Sequence, residues 1–144
     1  MKQEKCKCEK NHPIVLQYDF SSLPFACANC NLDVDLGRLD IDDQWRKKVG
    51  QWMTKYRMAY LQWLDLDELT PELANPAGTL HELGFELVTH FNAQYPMYYW
   101  WHLDTAEQGN RCPKCQSDMM RVRNEYTGSH LVCNTCRLLV VIKS

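Results

Sequence analysis

The middle of the chain repeats apolar residues at helical spacing. Seven of them follow one another at alternating steps of four and three residues, which places them on one stripe of a helix from about Asp42 to Glu68. These positions are Trp45, Val49, Trp52, Tyr56, Ala59, Trp63 and Leu66. The Thr70-Pro71 pair should end this helix, because the residue before a proline disfavours the helical conformation.

A second helix is predicted after Asn75-Pro76, a capping residue followed by a proline suited to the first helical position. Leucines and Phe91 then recur at helical spacing as far as Tyr95-Pro96. Gly84 interrupts this helix at a cost of about 1 kcal/mol relative to alanine, which indicates close packing at that position. The following Met97–Trp101 run has no helical period and predicts a short buried strand or an aromatic plug.

Shorter alternating runs near both ends of the chain predict strands. They cover residues 14–18, 25–26 and 32–36 in the first part of the chain and 120–123, 130–132 and 138–142 in the last. Turn residues separate the runs, including Ser21-Ser22-Leu23-Pro24 and Tyr126-Thr127-Gly128-Ser129. Each end therefore reads as a small three-stranded unit.

Eight cysteines accompany these strands. In the C-terminal part, Cys112 and Cys115 form a Cys-x-x-Cys pair, and Cys133 and Cys136 form a second pair after 17 intervening residues. Two residues between cysteines let the chain turn back as a knuckle, so that four thiolates meet one tetrahedral zinc ion. So short a module buries too little apolar surface to fold unaided, so zinc should supply much of its stability.

The N-terminal cysteines repeat the plan with one departure. Cys6 and Cys8 are separated by a single residue, and 18 residues later Cys27 and Cys30 form a normal pair. A second zinc ion is predicted here, with His12 as an alternative ligand. His130 is the corresponding alternative near the C-terminal cluster, although a loop histidine without a metal is the simpler reading of both. Iron in the same sulfur cage, or a redox dithiol, stays open as an alternative to zinc at the C-terminal cluster. Pairing of Cys6 and Cys8 with Cys133 and Cys136 is possible in principle but is set aside, because local loops close at a lower entropic cost.

These patterns predict an α+β protein in which two zinc-ribbon β modules at the termini flank a helical middle of two main helices. The expected divisions are residues 1–40, an N-terminal zinc-ribbon-like module; 41–105, an aromatic-rich helical middle; and 106–144, a C-terminal zinc ribbon. The segment from Asp104 to Arg111 is the expected linker.

No active site is predicted. A catalytic zinc keeps one coordination position open, whereas each cluster here offers four thiolates. Glu82, Glu86 and His90 share one helical face and could hold a metal, but a solvated acidic face explains them more simply. The chain has no glycine-rich phosphate loop and no nucleophile elbow. We expect a non-enzymatic protein without a small-molecule substrate.

Composition narrows the class further. The chain has 144 residues, 45% of them hydrophobic and 24% charged, which is a globular balance. No run approaches the roughly 18 apolar residues of a membrane helix. The first residues lead into cysteines and not into an apolar signal, so we expect a cytoplasmic, reducing environment in which metal binding outranks disulfides.

The net charge of −2 conceals a basic end. Residues 111–144 carry six Lys or Arg against two Asp or Glu, whereas residues 69–110 carry five acidic and no basic side chains. A basic module favours contact with phosphates and hence nucleic-acid binding. The expected contact residues are Arg111, Lys114, Arg121, Arg123 and Arg137. A purely solubilising role for these charges is an equally good reading.

The aromatic middle supports a rival interpretation. Sixteen aromatic residues, including Trp45, Trp52, Trp63, Trp100 and Trp101, could form a partner interface, which would make the chain a protein–protein adaptor. The simpler reading places them in the core. Trp100 and Trp101 are adjacent and should point in opposite directions in an extended segment.

The cysteine motifs also carry a family resemblance. The chain resembles a bacterial family of uncharacterised zinc-ribbon proteins. The motifs that carry the resemblance are Cys112-Pro113-Lys114-Cys115 and Cys133-Asn134-Thr135-Cys136-Arg137-Leu138. A looser match extends to Trp52 with Tyr56, residues 75–87 and residues 98–101. The resemblance implies zinc binding and nucleic-acid binding. Two departures concern the Cys6-Lys7-Cys8 pair and Gln116, which stands where the family often has glycine.

Overall fold

The aromatic stripe in the middle of the chain forms a helix of 24 residues, α1 (Asp43–Leu66). The Asp42 carboxylate caps its first turn by accepting a hydrogen bond from the backbone N–H of Trp45 at 3.0 Å. Asp67 ends the helix in the left-handed conformation, with a φ of 50°. The buried side chains of α1 all belong to the predicted stripe: Val49, Trp52, Tyr56 and Ala59.

The structure is a computed structural model that describes residues 8, 12–18, 24–30, 32–34, 41–67, 71–124 and 128–142. Three further helices lie in these ranges: α2 (Pro71–Ala74), α3 (Thr79–Asn92) and α4 (Thr105–Gln108). Six strands accompany them: β1 (Ile14–Leu16), β2 (Phe25–Cys27), β3 (Met97–Trp100), β4 (Met120–Asn124), β5 (Gly128–Cys133) and β6 (Leu138–Val141). The predicted mixture of helices and strands is therefore confirmed.

Helix α3 begins later than the sequence predicts. Asn75 does not cap it; its side-chain oxygen accepts a hydrogen bond from the Ala77 N–H at 3.0 Å, and its backbone carbonyl accepts one from the Gly78 N–H at 3.0 Å. These two bonds close a turn between α2 and α3. The helix consequently starts at Thr79, with Gly78 at the capping position.

All six strands belong to one sheet in the order β2-β1-β3-β6-β5-β4. Strand β3 runs parallel to both of its neighbours, β1 and β6, whereas the remaining pairs are antiparallel. The predicted three-stranded units at the two ends are thus joined edge to edge by a strand from the middle of the chain. In the N-terminal part, the expected third strand is represented by a single bridge between Ala26 and Asp33, and residues 35–36 lie outside the described ranges.

The helices cover one face of this sheet. The main core cluster combines residues of α1, α2 and α3 with Ile14, Leu16, Tyr99, Leu138 and Val140 from the strands. Trp52 and Trp101 are buried in it, which confirms the core reading for these two aromatic residues. Trp100 points to the other face of the sheet, as expected of adjacent residues in an extended segment.

A hydrogen-bonded pair of aromatic side chains lies at the centre of the main core. The indole N–H of Trp52 donates to the hydroxyl of Tyr99 at 3.1 Å. That hydroxyl also lies 2.7 Å from Nδ1 of His81, whose Nε2 lies 2.8 Å from the backbone carbonyl of Leu73. These contacts tie α1, α2 and α3 to β3.

None of the helices in the described ranges is both long enough and apolar enough to cross a membrane.

Candidate metal centre

The four C-terminal cysteines converge on one point. The sulfur atoms of Cys112, Cys115, Cys133 and Cys136 all lie within 4.8 Å of one another. The sulfurs of Cys115 and Cys133 are 3.6 Å apart. Zn–S bonds of about 2.3 Å in a tetrahedron would place neighbouring sulfurs about 3.8 Å apart, so the spacing fits a metal cage. All four are free thiols, not disulfide partners.

Local backbone geometry explains how each knuckle turns back. After the first pair, the N–H of Gln116 donates to the carbonyl of Cys112 at 2.8 Å, and the N–H of Cys112 donates to the carbonyl of Ser117 at 2.9 Å. Gln116 and Arg137, the residues that follow the second cysteine of each pair, both have positive φ, at 64° and 56°. This left-handed conformation favours glycine over residues with a side chain.

The protein environment of these thiols is uneven. Burial raises the pKa of Cys112 and of Cys136. Hydrogen bonds from Ser117 instead lower the pKa of Cys115, the exposed member, to about 6. A bound divalent cation favours the thiolate form of every ligand, so the buried thiols depend most on such an ion for their deprotonation.

Three of the four predicted N-terminal ligands also meet. The sulfur atoms of Cys8, Cys27 and Cys30 lie within 4.8 Å of one another, and those of Cys8 and Cys27 are 4.0 Å apart. The backbone N–H of Cys27 donates to the carbonyl of Leu32 at 2.9 Å, which folds the second pair into a turn. Cys6, the predicted fourth ligand, lies outside the described residues.

The alternatives left open by the spacing are resolved for the described residues. Cys8 groups with Cys27 and Cys30, so the pairing of the first cysteines with those at the other end of the chain is wrong for Cys8. Within the described ranges, neither cluster includes His12 or His130. The local combinations that are cheapest in loop entropy are the ones observed.

Two side chains next to the sulfurs were not anticipated. The amide Nδ2 of Asn29 lies 3.6 Å from the sulfur of Cys8, within reach of a weak N–H···S hydrogen bond. Asn134, inside the last knuckle, accepts a hydrogen bond from the hydroxyl of Tyr98 at 2.8 Å. Both asparagines stand between the cysteines of a Cys-x-x-Cys pair, a position that could have singled them out as partners of the ligands or of their supporting strands.

The five predicted nucleic-acid contacts do not form a single patch. Arg111 lies 3.9 Å from the carboxylate of Asp118, an exposed pair. The ammonium group of Lys114 lies 4.1 Å from the ring centroid of Phe85 on α3. Arg121 and Arg123 are exposed on β4. The basic end of the chain is thus distributed over several surfaces.

Arg137 contacts the central strand β3. Its guanidinium stacks 3.9 Å from the ring centroid of Tyr98, and its Nε donates to the backbone carbonyl of Met97 at 3.0 Å. Arg123 lines a pocket that Tyr98 also lines, whereas Arg121 lines a separate pocket with Leu131 and Asn110. Arg123 and Arg137 are therefore the two predicted contacts that share a neighbourhood, around Tyr98.

The acidic face of α3 has other partners. The carboxylate of Glu86 lies 2.6 Å from the ammonium group of Lys48 on α1. The His90 ring stacks on Trp45 with 3.5 Å between ring centroids. In the described part of the chain, the groups of residues that could hold a metal ion are the two cysteine clusters, and neither contains Glu86 or His90.

Comparisons with known proteins add no relative. No family model matches this chain, and neither does any curated protein or solved structure. The resemblance to zinc-ribbon proteins consequently remains a prediction from the cysteine motifs. The functional argument depends on the geometry of the site itself.

Proposed function

We propose that this is a non-enzymatic protein in which each cysteine cluster holds one structural zinc ion. The observation that supports this proposal most strongly is that the four C-terminal sulfurs lie within 4.8 Å of one another. The three described N-terminal sulfurs are gathered in the same way. Sulfur-only donor sets of this size suit zinc, which takes four thiolates in its structural sites. Cys6 is the expected fourth ligand of the N-terminal ion.

Metal analysis of the purified chain tests this proposal. Native mass spectrometry and elemental analysis should find two zinc ions per chain, with one lost in Cys133→Ser and the other lost in Cys27→Ser. The matched control is Thr135→Ala, an exposed position in the same knuckle as Cys133, which should keep both ions. A folded, metal-free protein, disulfide-bonded cysteines, or iron in place of zinc would each overturn the assignment.

We propose further that the protein binds nucleic acid through its basic C-terminal part. Support comes from the six basic against two acidic residues of segment 111–144 and from the exposure of Arg121 and Arg123. A titration of the zinc-loaded protein with labelled DNA and RNA at two salt concentrations is the test. Affinity should fall steeply as salt rises; no binding at low salt, or binding that ignores salt, would overturn the proposal.

The second candidate is a protein–protein adaptor. It is favoured by four apolar side chains of α1 that are 44–65% exposed: Met58, Leu61, Leu64 and Leu66. These four lie within nine residues of one helix, a higher density of exposed apolar side chains than the isolated ones that are common on protein surfaces. A partner captured after nuclease treatment, and lost in Leu61→Asp but kept in Gln62→Asp, would favour this function over the first.

A further inference from the structure

The second face of the sheet has its own apolar cluster. Val15, Val132 and Leu139 are buried there, with Ala28, Tyr98 and Trp100 packed against them. Within the described part of the chain this cluster includes no residue of α1, α2, α3 or α4, which all belong to the opposite face or to the periphery. The two faces of the sheet therefore differ as far as the described residues go: helices cover one face, and none of the described helices covers the aromatic side chains of the other.

A pocket of about 100 Å³ opens at this second face. It lies between the N-terminal Cys27–Cys30 knuckle, which contributes Asn29, and the β4–β5 hairpin, which contributes Val122 and His130. Tyr98 from the central strand β3 and His12 also line the pocket. Both ends of the chain thus build one pocket, with an apolar floor and polar groups at its margin.

The charge around the pocket is positive. Arg123 lines it, and the guanidinium of Arg137 stacks on the ring of Tyr98. The described lining includes no Asp or Glu. Burial holds the pKa of His130 below its ordinary value, so that this histidine adds no charge to the pocket at physiological pH. An apolar floor with arginine at the rim is complementary to a flat ring carried on a phosphate chain.

The size of the pocket limits the kind of ligand that it can hold. The pocket volume is several times the roughly 10–15 Å³ that one water molecule needs. It is smaller than the roughly 300–1,000 Å³ of typical small-molecule sites. A single planar ring fits between these limits, whereas the base pairs of a duplex keep their ring faces stacked and cannot enter.

We infer that this pocket receives one unpaired base of a single-stranded nucleic acid, with Arg123 and Arg137 near the flanking phosphates. The inference rests on the proposed nucleic-acid binding and deepens it by naming the strand state and the subsite. It also assigns a role to the N-terminal knuckle, because Asn29 holds one wall of the pocket and contacts the sulfur of Cys8. Base insertion and metal binding would then depend on the same turn.

The wild-type protein provides the first test. A fluorescein-labelled oligothymidylate of about 12 nucleotides is titrated into the zinc-loaded chain, beside a duplex and an abasic single strand of the same length. The normal single strand should bind about tenfold more tightly than either of the others, because neither a duplex nor an abasic strand offers an unpaired base to the pocket. Equal affinity for the normal and the abasic strand would overturn the pocket.

A matched pair of variants provides the second test. Val122→Trp fills the pocket from an exposed position on β4, where a large aromatic residue suits the strand, and should weaken single-strand binding about tenfold. Met120→Trp adds the same side chain two residues away, on the same strand and outside the described pocket lining, and should bind within about twofold of wild type. Zinc content and circular dichroism confirm that both variants are folded.

The outcomes separate the two proposals. Salt-dependent binding that is unaltered in Val122→Trp overturns the pocket and leaves the proposed function standing. Binding weakened equally for the normal and the abasic strand in Val122→Trp also overturns the pocket, because phosphate contacts alone would then be affected. Failure of the wild-type protein to bind any nucleic acid at low salt overturns the proposed function and the pocket together.

Discussion

Gly84 on α3 lies against the phenol ring of Tyr99 on β3. A Cβ atom added at Gly84 would stand 2.5 Å from Cζ and 2.7 Å from the hydroxyl oxygen of Tyr99. The ring is held in place because its hydroxyl bonds to Trp52 and His81 and its side chain is fully buried. Helix α3 can therefore pack this closely against β3 only because residue 84 has no side chain.

Gly84→Ala should consequently destabilise the protein by about 2–3 kcal/mol, since the overpacking exceeds the roughly 1 kcal/mol gained in helix propensity. Gly50→Ala is the matched control, because Gly50 lies in α1 with nothing within 4 Å of its added Cβ. That variant should be about 0.5–1 kcal/mol more stable than wild type. Urea unfolding measures the free energy of unfolding of both variants. An equal gain in stability in Gly84→Ala and Gly50→Ala would contradict the close packing at Gly84.

Replacement by phenylalanine should affect the free energy of unfolding differently at two buried histidines. His81 bonds through both ring nitrogens, so His81→Phe removes one hydrogen bond from the Tyr99 hydroxyl and one from the Leu73 carbonyl and should cost about 1–3 kcal/mol. His102 is also buried, yet neither of its ring nitrogens has a hydrogen-bond partner among the residues that the structure describes. His102→Phe should therefore leave the free energy of unfolding unchanged or raise it by about 1 kcal/mol, again measured by urea unfolding.

Mild acid should destabilise the fold through the same two side chains. Burial lowers the pKa of His81 to about 4, and burial together with the nearby His81 lowers that of His102 to about 3. Unfolded histidine has a pKa of about 6.5, so below that pH the unfolded state binds more protons and stability falls as pH falls. Each histidine should contribute a loss approaching about 1.4 kcal/mol per pH unit.

The measurement is urea unfolding between about pH 6.5 and 5, with zinc content followed in parallel because acid also protonates thiolates. His102→Phe should show a shallower loss of stability than wild type over this range, at unchanged zinc content. An identical pH dependence of the two proteins would mean that His102 does not titrate as described.

Gln116→Gly should stabilise the C-terminal knuckle. Gln116 has a φ of 64°, a conformation that costs an ordinary residue about 1–2 kcal/mol and costs glycine little. Part of this gain is offset by the extra flexibility of glycine in the unfolded chain and by the loss of the Gln116 side-chain bond to the Pro113 carbonyl at 3.3 Å. We expect a net gain of about 0.5–1 kcal/mol in thermal or urea unfolding; a clear loss would contradict the backbone geometry.

Cys115→Ser should unfold the C-terminal hairpin. In the proposed zinc site three thiolates would hold the ion less tightly than four, and we expect the hairpin to lose stability with the ion. Limited proteolysis should then cut β4 and β5, and a colorimetric chelator should withdraw one zinc ion faster than from wild type. Asp118→Asn is a control that alters a neighbouring exposed side chain without removing a ligand; protease resistance of Cys115→Ser equal to that control would refute the expectation.

The sequence was most informative where a period or a spacing translates directly into geometry. The stripe from Trp45 to Leu66 predicts α1 to within a residue or two at each end, because amphipathic helices repeat every 3.6 residues. The cysteine spacing identifies the four C-terminal partners, since a knuckle leaves little freedom in where its sulfurs lie. Close packing at Gly84 was also predictable, because a glycine inside a helix requires a reason.

Other features depend on contacts between distant residues and left no local pattern. The turn closed by Asn75 competes with a helix start that has the same residue types, so the first residue of α3 was misplaced. Insertion of β3 between β1 and β6 arises from pairing across more than thirty residues on either side, which no short motif encodes. The pocket beside Tyr98 follows from that insertion and was equally out of reach.

The position of β6 has a consequence for how the chain reaches its native form. Among the described strands this one comes last in sequence, yet it occupies an interior place beside β3, which itself borders the much earlier β1. During synthesis, β3 has no neighbour on that side until the ribosome has passed Val141, and its exposed edge is open to mistaken pairing with other chains. The sheet is therefore complete only after β6, which joins the strands of the first part of the chain to the C-terminal hairpin, has been synthesised.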